Sequence, residues 1–327
     1  MPVRVVWRER NTVSLEEFRL ETPGARQVLV QTRLSLVSTG TERAFLGAQP
    51  NTPGRFPQYP GYSLVGIVTA VGPEVTQFNP GDRVACKAPH QSHAIVPITD
   101  CFKLPSAVTD ENAVFFELLS IVSSGLRKVR LEFGDSVAIF GAGLVACIAL
   151  KLLRLSGAMP VVVFVRTDRR RAMALRCGAD TVLPVGEDYG ATFGRLTGEP
   201  GARIAIDATD DPAAILDACR AARPMGKVLL LGSVRGTTSE VNFYRDVHKK
   251  GLTLVGAHSS LAPRWESSTG YWTRSEERTL ALRMLELGRL SLSDVISDQT
   301  PWQQAADAYR RISEPNPPVA TAFRWSH

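Results

Sequence analysis

The stretch that most constrains the fold runs from Gly134 to Gly178, GDSVAIFGAGLVACIALKLLRLSGAMPVVVFVRTDRRRAMALRCG. Ser136 to Phe140 form a short apolar run of the kind a buried parallel strand carries. Gly141-Ala142-Gly143 turns the chain, and Leu144 to Leu155 place apolar residues at helical spacing. A second apolar run, Val161 to Val165, follows. Strand, glycine turn, helix and strand within about 30 residues make up a mononucleotide-binding half-unit.

The residues of the turn have separate tasks. Gly141 permits the tight turn, Gly143 lets the backbone approach a pyrophosphate, and Ala146 keeps the helix close to the strand, giving GxGxxA. Leu144 and Val145 open the helix, whose amino terminus faces phosphates. Small residues are frequent in any tight strand-to-helix turn, so it is the flanking strands that favour dinucleotide binding over packing. An NAD-specific site would place Asp or Glu at the end of the second strand, to hold the ribose hydroxyls. That position is Val165, followed by Arg166, Thr167 and the cluster Arg169, Arg170 and Arg171. Without a carboxylate to repel a 2′-phosphate, and with Arg166, Thr167 and Arg170 to hold it, NADP(H) is the expected cofactor. A solvated arginine face with NAD bound elsewhere along the ribose is the competing reading. Gly232 completes the candidate cofactor-binding set.

At 327 residues two domains are expected. The hydrophobic share of 44% and charged share of 21% are those of a globular protein, and no apolar run is long enough to span a membrane. The amino terminus, MPVRVVWRERNTVSLEEF, lacks the apolar core of a secretory signal, so a cytoplasmic location is expected. Five scattered cysteines without CxxC fit reduced thiols and argue against structural zinc. The net charge of +6 is modest, and no aromatic platform accompanies the arginine cluster, which argues against a nucleic-acid partner.

Residues 1 to 115 are rich in valine, proline and glycine, with alternating runs at Val28 to Arg33, Leu64 to Val71, Arg83 to Ala85 and His93 to Val96. Turn signals such as Asn79-Pro80-Gly81-Asp82 separate them, as in a compact β domain. From Asp110 the spacing of Ala113, Phe116, Leu119, Val122 and Leu126 predicts a helix leading into a second domain, 116 to 292. Later strands are expected at Thr181 to Pro184, Arg203 to Asp207, Val228 to Leu231 and Leu252 to Val255. With the first two they make a six-stranded doubly wound sheet. Residues 293 to 327, with a helix at Trp302 to Ile312 and a strand at Ala320 to Trp325, are expected to rejoin the β domain.

With that order of domains, the chain resembles the medium-chain dehydrogenase/reductase superfamily over essentially its full length. Pro60-Gly61-Tyr62-Ser63-Leu64-Val65-Gly66 resembles its PGHE-x-x-G segment, Gly81-Asp82-Arg83-Val84 its GDRV turn, and Gly141-Ala142-Gly143 its cofactor loop. Ile206-Asp207-Ala208-Thr209 and Gly251 to Gly256 resemble two of its later strands. Ser38-Thr39-Gly40-Thr41-Glu42, PGYSLVG and Ala88-Pro89-His90 are most similar to the bacteriochlorophyllide a dehydrogenase-like subgroup, a label that covers many relatives outside photosynthesis. The resemblance implies an α/β chain, a GroES-like β domain plus a Rossmann doubly wound parallel sheet. It also implies a homodimer paired through the strand Leu252 to Gly256.

The departures from the family pattern bear on mechanism. Where zinc-dependent members have a Cys and the His-Glu of PGHE, this chain has Ser38-Thr39 and Tyr62-Ser63. Only Glu117, near the third ligand's position, remains, and a catalytic zinc needs three protein ligands. The four-cysteine lobe is absent as well. No catalytic zinc is therefore expected, and the donors nearest the lost positions are Thr39, Thr41 and Tyr62. Thr41 lies where the family's proton-relay hydroxyl sits. Glu117 is expected either to orient Thr41 or Tyr62 or to form an ordinary ion pair. His90 and His93 are candidates for a proton path to solvent, or for turn caps.

These residues predict a zinc-independent, NADP(H)-dependent oxidoreductase acting on a small-molecule carbonyl or secondary alcohol. Reduction of a conjugated C=C is the alternative, with the same donors holding an enolate oxygen. A cofactor-binding protein with little turnover is a third reading.

Overall fold

The computed structural model describes residues 1–325. The chain divides into two compact units, Met1–Leu119 with the chain from Arg278 onward, and Ser120–Glu277. Both divisions fall inside helices, Phe116–Lys128 and Arg274–Glu286.

The first unit opens with an antiparallel hairpin, β1 (Val3–Glu9) and β2 (Thr12–Glu17). Then come β3 (Gln27–Val37), α1 (Thr39–Leu46), β4 (Leu64–Val71), β5 (Arg83–Cys86), β6 (His93–Pro97) and β7 (Cys101–Lys103). In β3 the side chains of Val28, Val30 and Thr32 alternate inward, as a sheet with one covered face requires. Helices α2 (Asp110–Ala113) and α3 (Phe116–Lys128) stand where a single helix is expected from the spacing. The Ser63 hydroxyl donates to the Val114 carbonyl at 2.5 Å, taking an acceptor that a continuous helix would offer its own backbone.

The second unit holds β8 (Val137–Phe140), α4 (Leu144–Leu155), β9 (Val161–Val165), α5 (Arg171–Cys177), β10 (Thr181–Pro184) and α6 (Tyr189–Thr197). It continues through β11 (Ala202–Asp207), α7 (Ala214–Ala221), β12 (Ala222–Leu230) and β13 (Thr253–Gly256). The six strands are parallel in the order β10-β9-β8-β11-β12-β13. Every residue of β8 and β9 is buried, which is why their sequences are unbroken apolar runs. The order reverses between β8 and β11, where a doubly wound sheet opens its ligand crevice. The expected fold class is thus the observed one.

Helix α8 (Arg274–Glu286) returns the chain to the first unit. There β14 (Asp298–Pro301), α9 (Ala305–Ser313) and β15 (Thr321–Arg324) follow, with β15 antiparallel to β3. Trp7, Tyr309, Phe323 and Trp325 pack with Val37 and Leu46 into one apolar cluster, so the two ends of this unit's sequence share a core. All five cysteines are buried and unbridged.

Candidate active site

In the second unit the glycine turn forms as the motif requires. Gly141 has φ +94°, and a Cβ there would lie 2.9 Å from Thr209 Cγ2. Helix α4 begins at Leu144 behind Gly143, which supplies no side-chain cap. The backbone N–H groups of its first turn, Leu144 and Val145 among them, are therefore open to an anionic ligand. A cleft of about 200 Å³, partly open to solvent, is lined by Gly141, Arg166, Thr167 and Arg170 together with Thr209. Gly143, Leu144 and Val145 follow its lining residue Ala142, and Gly232 lies so close to the Thr209 backbone that a Cβ would stand 2.1 Å from its oxygen. A cradle of this shape, with bare backbone donors at a helix start, fits a dinucleotide.

One expectation about this cleft is corrected. The end of β9 carries no carboxylate, but the loop after β11 brings in Asp210 and Asp211, and α7 adds Asp217, so two arginines of the lining face three aspartates. Arg166 is ion-paired with Asp211. Arg170 Nη1 donates to the Ala142 carbonyl at 3.3 Å. Arg171 pairs with Asp168. Asp207, at the end of β11, is wholly buried with Oδ2 unpartnered. Burial pushes its carboxyl up to about 6, while hydrogen bonds from Thr209 hold it back.

In the first unit the hydroxyl candidates converge at the start of α1. The Tyr62 oxygen is hydrogen-bonded by Ser38 and Thr41. Burial raises the Tyr62 phenol above its ordinary range; the two hydroxyls lower it, and the charges of Glu42 and Glu117 raise it further. Tyr62 is therefore a protonated donor across ordinary pH. Thr39 is buried and its hydroxyl donates to the Val319 carbonyl at 3.3 Å, which commits it to the backbone. Glu117 is buried and accepts Arg278 Nε at 2.6 Å, and Arg278 Nη1 also reaches Asp100 at 2.6 Å. The carboxylate is thus ion-paired, and its charge is one of those that raise the Tyr62 phenol.

His90 is fully buried, with hydrogen bonds at both ring nitrogens, to Ser35 Oγ at 2.8 Å and Glu42 Oε2 at 3.1 Å. A proton path to solvent through this ring would run on through Ser35 or Glu42. Trp325 Nε1 donates to the same Ser35 oxygen at 2.8 Å. Glu42 also accepts from the Tyr309 hydroxyl at 2.5 Å and from the Ser38 N–H at 2.8 Å. Gly61, with φ +92°, lies against this imidazole; a Cβ there would come within 2.7 Å of His90 Cγ. His93, the other candidate, is half-buried, with Nδ1 3.1 Å from Ser92 Oγ. Sequence reasoning missed Ser35, Glu42, Tyr309 and Arg278. Glu42 stands beside Thr41, but its partners are brought to it only by the fold.

Among the described residues no group of three or more His, Cys, Asp or Glu side chains is arranged to hold a metal ion. The donors that occupy the family's zinc positions, Thr39, Tyr62 and Ser63, are hydroxyls engaged with protein partners, a set that does not fit zinc.

Two family models match the chain, the alcohol dehydrogenase GroES-like domain over residues 24–106 and the zinc-binding dehydrogenase over residues 145–271. Together with dehydrogenase relatives, they support membership of the medium-chain dehydrogenase/reductase superfamily. The D-guloside 3-dehydrogenase of Escherichia coli (strain K12) is 25% identical over 261 residues, 79% of this chain and 74% of that protein. A Sinorhizobium meliloti 1021 structure bound to NADP superposes with TM-score 0.82 at 21% identity, covering 99% of both chains. An Escherichia coli CFT073 alcohol dehydrogenase complexed with NADH superposes with TM-score 0.83 at 20% identity, again over 99% of both. These two likenesses show the fold.

Proposed function

We propose that the chain is a metal-independent oxidoreductase that moves hydride between a nicotinamide dinucleotide, with NADP(H) preferred, and a small-molecule carbonyl or secondary alcohol. The observation that carries this reading is the pairing of two features in one chain: an uncapped α4 behind Gly141 and Gly143, and a Ser38–Thr41–Tyr62 hydroxyl cluster at the family's metal positions. Named dehydrogenases among the relatives support the reaction class, and structural neighbours bound to NADP and NADH support the cofactor class.

A bound nicotinamide would supply the hydride donor or acceptor. The first turn of α4 would hold its pyrophosphate and Arg166, Thr167 and Arg170 its adenosine end. Tyr62, kept protonated, would donate to the substrate oxygen as negative charge develops on it. Thr41, half-buried and hydrogen-bonded to Tyr62, would return a proton to Tyr62 in carbonyl reduction and carry one outward in alcohol oxidation. Glu42, His90 and Ser35 would fix α1, and Glu117 with Arg278 would set the charge behind Tyr62. The subunits are proposed to pair through β13, which lies at the edge of its sheet.

The test is turnover with NADPH and NADH across aldehydes, ketoses, polyols and enones, with product identification and elemental analysis of tag-free protein. Carbonyl or alcohol turnover without stoichiometric metal is expected. Turnover of enones alone would move the assignment to C=C reduction. Dinucleotide binding without turnover would leave a binding protein. Zinc lost together with activity would overturn the metal-free reading.

A further inference from the structure

Resting on that cofactor reading, we infer that Asp211 is a specificity-determining residue, a built-in competitor that holds Arg166 away from a 2′-phosphate and moderates the preference for NADP(H). Three observations meet at this side chain. Asp211 lines the same cleft as Arg166, Thr167 and Arg170. Its carboxylate is held in place from the protein side, because Oδ1 accepts the Ala213 N–H at 3.0 Å just before α7 and the Asp211 backbone N–H donates to the Thr209 hydroxyl oxygen at 3.1 Å. Its other oxygen, Oδ2, is ion-paired with Arg166, whose side chain is 68% exposed against 23% for Asp211.

The asymmetry decides which partner moves. The aspartate is anchored at a loop corner, and the arginine is a long solvated chain free to swing. An incoming 2′-phosphate must take Arg166 from Asp211 and then lie near Asp211, Asp210 and Asp217, so part of the guanidinium's attraction is spent on replacing an existing partner. A ribose with a free 2′-hydroxyl faces neither cost. It can leave the Arg166–Asp211 pair intact and donate a hydrogen bond to the carboxylate, which would stand in for the acidic residue missing after β9. The loop after β11 thus supplies the NAD-type group and the loop after β9 the NADP-type group, and the two neutralise each other. The expected behaviour is a modest preference for NADP(H) with real use of NAD(H).

Dissociation constants for NADPH and NADH, measured by quenching or calorimetry on wild type, Asp211→Asn and Asp211→Ser, test this directly. Both variants retain an acceptor for the Ala213 N–H, so the start of α7 survives. The ratio Kd(NADH)/Kd(NADPH) is expected to rise about 3- to 10-fold in each, mainly through tighter NADPH. In an Arg166→Ala background the gain from Asp211→Asn should be smaller, since there is no guanidinium left to release and only the direct contacts of Asp211 with the ribose and its 2′-phosphate remain. An unchanged ratio in both single variants, or a gain that persists undiminished without Arg166, would overturn the inference while leaving the cofactor assignment standing. Wild-type protein that binds neither dinucleotide would overturn the cofactor reading and this inference with it.

Discussion

Tyr62 and Arg166 occupy positions where the chain departs from the pattern of the superfamily it resembles, and each makes a prediction that one atom decides. Tyr62→Phe removes the proposed donor and little volume, so kcat should fall about 100-fold or more with an unchanged melting temperature, the loss typical of one oxyanion donor. Steady-state kinetics beside a thermal melt check this, and a kcat within a few fold of wild type would remove Tyr62 from the mechanism. Arg166→Asp places a second carboxylate beside Asp211, and the NADPH to NADH preference should shift toward NADH by about 10- to 100-fold. Both side chains were legible from their positions after a motif. Their partners were not, because Ser38 and Asp211 lie 24 and 45 residues away from them and meet them only through the folded loops.

Helix α1 shows how an element gains its rigidity from elsewhere in the chain. It has no side-chain cap at Ser38, and only eight residues, too few to be stable alone. Glu42 on its buried face ties it to His90, Tyr309 and the Ser38 backbone. Burial raises the Tyr309 phenol well above its usual range, and the Glu42 charge adds to this, so this group stays a donor. Glu42→Ala would strand a buried imidazole and a buried phenol, and chemical denaturation should register a loss of about 3 to 5 kcal/mol. Glu42→Gln, which keeps an acceptor, should lose less. Elements with a strong period, α4 and most strands of the parallel sheet, stand where their residues predict, whereas β12 (Ala222–Leu230) begins well before the expected Val228. Helix α1, hairpin β1–β2 and strand β14 are short and half-polar, and their local sequence does not distinguish them from loops.

At the scale of the whole molecule, the buried carboxyl of Asp207 couples stability to pH. Its folded value of about 6 lies above the ordinary carboxylate value of 3.8, so the folded state holds a proton that the unfolded state gives up. This contribution is present below about pH 4 and is lost as pH rises through 6, costing up to about 3 kcal/mol at pH 8. Asp207→Asn should therefore gain stability relative to wild type at pH 8, with the gain shrinking toward pH 4; a difference independent of pH would refute it. Pairing of β13 with its copy predicts a dimer by light scattering.

What the sequence by itself determined is the doubly wound sheet, the glycine turn and the hydroxyl side chains of Ser38, Thr39, Tyr62 and Ser63, because each rests on local periodicity or on residue type at a motif position. What only the tertiary structure decided is which charges and donors meet. His90 became a buried strut, Glu117 the ion-pair partner of Arg278, and the arginine cleft acquired aspartates of its own. Hydrogen bonds and ion pairs act over a few ångströms, and no spacing along the chain states which distant side chains the fold will bring within that range.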